Sequence, residues 1–401
     1  MVSVGARGHD FGAASGWLRV CAATGIASAA AYLIVLPIGY TAALRSISLL
    51  LALTAAIVLW AARGPRSTPL LSTFVVWLLA ASLSLVSTRS LDASLKAIDG
   101  EILRAFLVFF VFYTLSRRLA LYRVWVATTA LGFILFSVLA IFSFYKNGGW
   151  TVPPLGDFAT SAVTVLPLLL GYALLQQRER RLVVLAGTAV VVTLTAAYLT
   201  FSRAFWLVLV CGLLLGGILY ARRFARVPKR FIVFVTVACI AALGLAAAGS
   251  REKGKSLIER SDRVAIYSAA AKRIAGIPLT GTGYGQGTDA AWYEAALPNA
   301  SISHPHNIVL GYFDQMGIAG LLALLMIFGA PVLPLVRGLR APPIEARTAA
   351  LCGLVLLACV FVKNNFDYFF VKHNLWLFFA HLGIYLGEID RNTLAQPSRV
   401  V

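Results

Sequence analysis

Apolar runs of about 20 residues recur along this chain from end to end, and each is long enough to cross roughly 30 Å of hydrocarbon as a helix. Inside lipid the backbone must satisfy its own hydrogen bonds, so runs of this kind are helices. Twelve are expected, near residues 17–39, 43–62, 68–87, 102–117, 124–145, 159–176, 182–201, 204–221, 231–249, 307–336, 346–364 and 370–388. The fold class is therefore an all-α integral membrane protein. Spans this closely spaced leave no room for a soluble domain, so residues 1–401 read as one polytopic membrane domain.

Composition agrees: 60% of the residues are hydrophobic and 13% charged, and the mean hydropathy is +0.83. The net charge of +19 is not a nucleic-acid signature, because most basic residues sit in short connections between spans. Those after the second, fourth, sixth, eighth and tenth spans are basic and nearly free of acid, as in Arg222-Arg223 and Arg337. Such connections face the cytoplasm, which puts both termini there too. The run from Trp17 to Tyr40 is too long for a signal-peptide core and reads as a first span. All five cysteines lie within apolar runs, as small buried hydrophobes without disulfide or metal spacing.

The other connections are expected to face outward. One, Ser90 to Phe106, carries Leu91, Leu95, Ile98, Ile102 and Phe106 at helical spacing, with Asp92, Lys96, Asp99 and Glu101 off that stripe. It suits a helix lying on the membrane or a frayed extension of the fourth span. The longest connection is a loop over 250–305. Ser256-Leu257-Ile258-Glu259 is a capping-box pattern, helical residues run to about Gly276, and Pro278 stops them. Gly281-Thr282-Gly283-Tyr284-Gly285-Gln286-Gly287 follows. It matches no phosphate-binding spacing and reads as a turn, with close backbone approach the second reading.

The loop ends at Ser303-His304-Pro305-His306-Asn307, where the tenth apolar run begins. Pro305 suits a first helical turn and Ser303 can cap it, which sets His306 at a helix N-terminus beside the membrane. That end favours anions, and a neutral imidazole beside an anion site is what a general base for group transfer needs. The alternative is a polar histidine that marks the water line. Outward-facing cations gather with few acids. Arg203 lies in the tight turn Phe201-Ser202-Arg203-Ala204, and Arg263 in the loop helix. Arginine's planar fork suits pyrophosphate, against snorkelling for Arg203 and a local pair with Glu259 or Asp262 for Arg263. Asp314, an intramembrane acid, is expected to pair with Lys363. His304 is a weaker base candidate than His306. No Asp-x-Asp occurs, and no metal-ligand spacing or serine-hydrolase elbow is present.

His306-Asn307, nine residues, then Gly317-x-x-Gly320 resembles the motif of bacterial O-antigen ligases across all of its positions. Arg203, in Ser-Arg ahead of an apolar run, resembles that family's first essential arginine. Arg263, ahead of Pro278 and Gly281-x-Gly283, resembles its loop arginine. Arg45, Arg89 and Lys146 are candidates by position for its further basic contacts, with His304 and Asn307 beside the motif. The resemblance implies a GT-C-like architecture of about twelve spans, with the large periplasmic loop between the ninth and tenth. It implies transfer of O-antigen from undecaprenyl pyrophosphate to a sugar hydroxyl of lipid A–core, without cofactor or metal and with inversion, at the periplasmic face of the inner membrane. His306 would be the base, and Arg203 and Arg263 would hold the pyrophosphate. O-antigen polymerases share related patterns, and a lipid-linked glycan transporter is a third reading.

Overall fold

The computed structural model describes the chain except residues 1–15, 63–66, 148–157, 177–178, 201, 224–235, 238, 242–243, 245–259, 278, 286–289, 298–303, 367, 369 and 395–401. The described residues form helices and no strand. In order these are α1 (Gly16–Val35), α2 (Ala42–Ala62), α3 (Leu71–Ser84), α4 (Leu91–Ala97), α5 (Arg104–Arg118), α6 (Tyr122–Asn147), α7 (Phe158–Leu175), α8 (Arg180–Leu199) and α9 (Arg203–Arg223). There follow α10 (Arg260–Ala275), α11 (Ala290–Ala296), α12 (Ile308–Gly329), α13 (Val332–Gly338), α14 (Ile344–Phe366) and α15 (Lys372–Leu394).

Eight of the twelve expected spans are helices long and apolar enough to cross a membrane: α1, α2, α6, α7, α8, α9, α14 and the run α12–α13. The helices for the third and fourth expected spans are shorter, α3 and α5 having 14 and 15 residues. That for the twelfth, α15, carries Lys372, Glu388, Asp390 and Arg391. The ninth lies mostly outside the described residues.

The core of the bundle is α5 against α15, flanked by α7 and α14. Two glycines one turn apart let the backbones close up: a Cβ on Gly383 would come 2.8 Å from the Phe109 carbonyl, and one on Gly387 2.6 Å from that of Tyr113. Small residues at this spacing draw membrane helices together through dispersion, since lipid offers no hydrophobic drive. Aromatic rings fill the rest, with Phe74, Phe109 and Phe379 mutually in contact.

Three expectations are corrected. Residues 90–106 do not form a separate surface helix. Ser90 caps α4 by accepting from the Ala93 N–H, and a π-helical turn, Ile98–Leu103, carries the chain straight into α5. Glu101 does not face solvent, because this turn buries it. The tenth run is not one helix. Gly317, at φ 60° and ψ −147°, breaks it, leaving a short helix, 308–316, ahead of the remainder.

Candidate functional site

The break at Gly317 has a partner. It frees the carbonyls at the end of the 308–316 helix, and the stretch Leu279–Gly285 supplies donors for them. Thr282 N–H donates to the Asp314 carbonyl (3.0 Å), Gly283 N–H to that of Gln315 (3.1 Å), and Ile318 N–H to that of Leu279 (3.2 Å). Helix ends buried without such partners are costly. Over its described part, Gly281–Gly285, the glycine run is thus a bending strap in close backbone approach, the second of the two readings, while Gln286 and Gly287 lie outside the described residues. A Cβ on Gly281 would lie 2.3 Å from the Gln315 carbonyl, and one on Gly317 1.7 Å from that of Leu279. On its other side the strap meets α3 and α4. Ser87 Oγ donates to the Gly281 carbonyl at 2.7 Å, Tyr284 N–H donates to Ser84 Oγ at 3.0 Å, and the Tyr284 hydroxyl donates to Glu101 at 2.7 Å. Burial pushes the Glu101 carboxyl up to about 7, against the lowering pull of the Tyr284 hydroxyl and Lys372.

Asp314 pairs with Arg273, not with Lys363. Arg273 Nε donates to Asp314 Oδ1 at 2.7 Å, the Tyr293 hydroxyl donates to Oδ2 at 3.0 Å, and the Arg273 guanidinium lies 4.7 Å from the Trp292 ring centroid. Both partners are buried. This pair locks α10 and α11 onto the 308–316 helix. It also sets the register: Arg273 sits beside Asp314, while Ile266, Ala270 and Tyr293 cluster with Leu310. Helices α10 and α12 therefore run parallel, and position 263 comes level with the start of α12, ~1.5 Å per residue further along. The Arg263 side chain, Ser303 and the Ser256–Glu259 capping box lie outside the described residues.

At the start of α12 the cap is Asn307, whose Oδ1 accepts from the Val309 and Leu310 N–H groups at 2.9 and 3.1 Å. Pro305 and His306 consequently precede the helix rather than fill its first turn. His306 takes φ 51°, a left-handed conformation that a non-glycine residue holds only under constraint. Its backbone N–H donates to His304 Nδ1 at 3.2 Å, which assigns the neutral His304 proton to Nε2. The imidazole centroids stand 4.1 Å apart. His304 is buried, with Tyr368 edge-on at 6.0 Å. His306 is half-buried.

The Asn365 carbonyl at the end of α14 collects this neighbourhood. It accepts from Asn307 Nδ2 at 3.4 Å and from the Tyr267 hydroxyl of α10 at 3.2 Å. Arg203 comes to the same level. The Cys359 thiol faces the Val208 carbonyl at 3.8 Å, and a Cβ on Gly216 would meet Val355 at 3.5 Å, so α9 and α14 are antiparallel. Five residues back from Val208, Arg203 lies opposite Asn364 and Asn365. Ser202 opens α9, its Oγ accepting from the Phe205 N–H at 3.4 Å. Below Arg203, α7, α9 and α14 line an apolar groove, with Leu170, Val208, Leu213 and Val355 among its walls.

The remaining candidates stand apart. Arg45, near the start of α2, donates to the Leu36 carbonyl at 3.2 Å. Arg89 is exposed on the turn before α4, beside the strap, and Lys146 is exposed in the last turn of α6. Sequence reasoning missed Arg273, Tyr368, Tyr284 and the role of Glu101. Of these, only the burial cost of Asp314 gave any signal that a cation had to come from elsewhere. Among the described residues no three His, Cys, Asp or Glu side chains gather as a metal would require.

Long apolar helices with a polar constellation at one end define a multi-pass membrane protein. Residues 188–325, about a third of the chain, match the family model described as O-antigen ligase. The match takes in Arg203, Arg263, His304, His306 and Asn307 and leaves out Arg45, Arg89 and Lys146. It carries with it a ligase- or polymerase-type enzyme activity in general. No curated protein matches the chain.

Proposed function

We propose that the protein is an O-antigen ligase of the bacterial inner membrane. It transfers O-antigen polysaccharide from undecaprenyl pyrophosphate to a sugar hydroxyl of lipid A–core, with residues 250–305 forming a periplasmic loop in a twelve-span, GT-C-like chain. The observation that carries this reading is the convergence on Asn365 of the His304–His306 pair, α10 at the level of Arg263, and the outer end of α9 with Arg203. An imidazole between cationic positions at a lipid edge suits direct displacement at a carbon that carries an anionic leaving group.

In this step the acceptor oxygen forms a bond to the anomeric carbon as the carbon–oxygen bond to pyrophosphate breaks. His306 takes the hydroxyl proton, and the electron pair leaves with the pyrophosphate. Arg203 and Arg263 bind the pyrophosphate and stabilise the charge it gains. One displacement without a covalent intermediate inverts the anomeric carbon. The His306 N–H holds His304 in one tautomer, and Asn307 fixes the backbone on which both rings stand. The apolar groove below Arg203 supports the polyprenyl side of the donor, since it opens among membrane-spanning helices and offers no polar competition for isoprene units.

The test is an assay of purified protein in detergent with EDTA, given polyprenyl-pyrophosphate glycan with and without lipid A–core. Glycan joined to lipid A–core only when the acceptor is present supports the reading. A ladder of longer lipid-linked glycans without lipid A–core means polymerase instead. No product from folded protein and intact donor overturns both.

A further inference from the structure

A second set of cations stands on the other flank of the histidine pair. Arg104, the first residue of α5, places its guanidinium 5.6 Å from the Trp376 ring centroid, and Trp376 Nε1 donates to the Gly100 carbonyl at 2.8 Å. Trp376 is one turn along α15 from Lys372, so Arg104 and Lys372 share the outer rim of α15. Arg45 on α2 is within electrostatic reach of Arg104 and His373, and His373 of Lys372. Two helices of more than 20 residues, α2 and α15, start here, and each adds the positive end of its dipole.

Among the described residues acid is scarce in this cluster. Asp99 stands 3.7 Å from Arg104 and is mostly exposed. Glu101 is turned inward to Tyr284. Three permanent cations and a histidine outnumber the exposed Asp99 and the buried Glu101, on which Lys372 pulls, and such an excess costs free energy unless an anion joins them. The cluster is also close to the base. Tyr368 touches His304, and the chain from Tyr368 to Lys372 spans at most about 14 Å.

We propose that Arg45, Arg104, Lys372 and His373 form a second anion site that seats a phosphate of the phosphorylated glycolipid acceptor. This rests on the transfer reaction above. An inverting displacement requires the attacking hydroxyl and the leaving pyrophosphate on opposite faces of the anomeric carbon. The donor's cations and apolar groove lie on the α9–α10 flank, which leaves the α2–α5–α15 flank to the acceptor. A lipid acceptor anchored in the same leaflet presents its phosphates at the depth where Trp376 sits, since indole rings favour the interface. Arginine and lysine together suit a phosphate monoester, the fork of one and the point charge of the other.

The test measures binding and transfer separately, on the full chain in detergent. Binding of lipid A–core is compared with that of the same lipid stripped of phosphate, for wild type, Lys372→Glu and Arg104→Ala. Lys372 is exposed, so its variant folds even if loss of the Arg104 stacking disturbs α15. Expected is a loss of about tenfold or more in affinity for the phosphorylated lipid, with wild type and variants alike toward the stripped one. In transfer assays the acceptor KM rises while the donor KM holds. Equal losses toward both lipids, a rise in donor KM, or displacement of lipid A–core by phosphatidylglycerol at equal concentration overturns the site. Wild type that binds phosphorylated lipid selectively yet transfers nothing sustains the site while refuting the ligase reading.

Discussion

The α5–α15 core and the strap around the 308–316 helix are held by different forces. In the first, Gly383 and Gly387 bring backbones into contact and aromatic rings fill the seam, so cohesion comes from many small dispersion terms. In the second, Arg273, Asp314, Glu101, Tyr284 and the strap N–H groups make directed bonds. The core needs only cohesion. The strap region must hold α10 and the His304–His306 pair in one register, and directed bonds specify position where packing alone tolerates sliding. The cost is fragility, because each buried polar group depends on its partner.

That contrast can be broken at several points, beginning where the effect is largest. Asp314→Ala removes the carboxylate partner of the buried Arg273 guanidinium, and such losses cost about 3–5 kcal/mol. Unfolding in detergent should shift by that order, with transfer abolished. An Arg273→Met/Asp314→Leu pair should regain much of the stability and little of the transfer. If Asp314→Ala is near neutral, the polar region is not what sets register.

Next come two glycines. Gly317→Ala drives a Cβ into the Leu279 carbonyl at a positive φ, so the strap must lift. Gly383→Ala pushes α15 off α5 at a cost of about 1–3 kcal/mol. Transfer rate per folded molecule should collapse for Gly317→Ala and stay within about twofold of wild type for Gly383→Ala, read from activity against the folded fraction. The reverse ranking would mean that the core, not the strap, positions the site.

A smaller effect follows from Glu101. Its carboxyl titrates near 7 in the fold against 4.5 for an ordinary glutamate, so between those values the folded state binds more protons than the unfolded. Stability therefore falls as pH rises through that window and levels off above it, by a few kcal/mol at most. Glu101→Gln keeps an acceptor for Tyr284 and should flatten the dependence between pH 4.5 and 7. Smallest of all is the Asp92–Lys96 pair at 2.7 Å, with both side chains about three-quarters exposed. Lys96→Ala should cost well under 1 kcal/mol.

Much of the helical pattern was legible because lipid permits little else: α1, α2, α6 to α9 and α14 follow their apolar runs to within a few residues. The site was legible in its residue types and not in its joints. Gly317 reads as one more small residue in an apolar stretch, since nothing local announces that Leu279 will receive it. Arg273 and Asp314 are 41 apart in sequence, and Arg273 lies in the loop while Lys363 lies in an apolar run, so Lys363 was the cation expected to reach an intramembrane acid. Ser303 and Asn307 are both good caps, and only geometry chose Asn307. The glycine run read as a turn because its partner surfaces come from α3, α4 and α12, each remote in sequence.

The most direct measurement is the single-turnover rate of glycan transfer to lipid A–core by His306→Ala, beside His304→Ala and wild type, with donor binding measured on the same samples. The expected result is a loss of about 10²–10⁴-fold for His306→Ala, donor affinity held within a few-fold, and inverted stereochemistry in the wild-type product. Transfer by His306→Ala within about threefold of wild type, from protein that binds donor normally, would contradict His306 as the base.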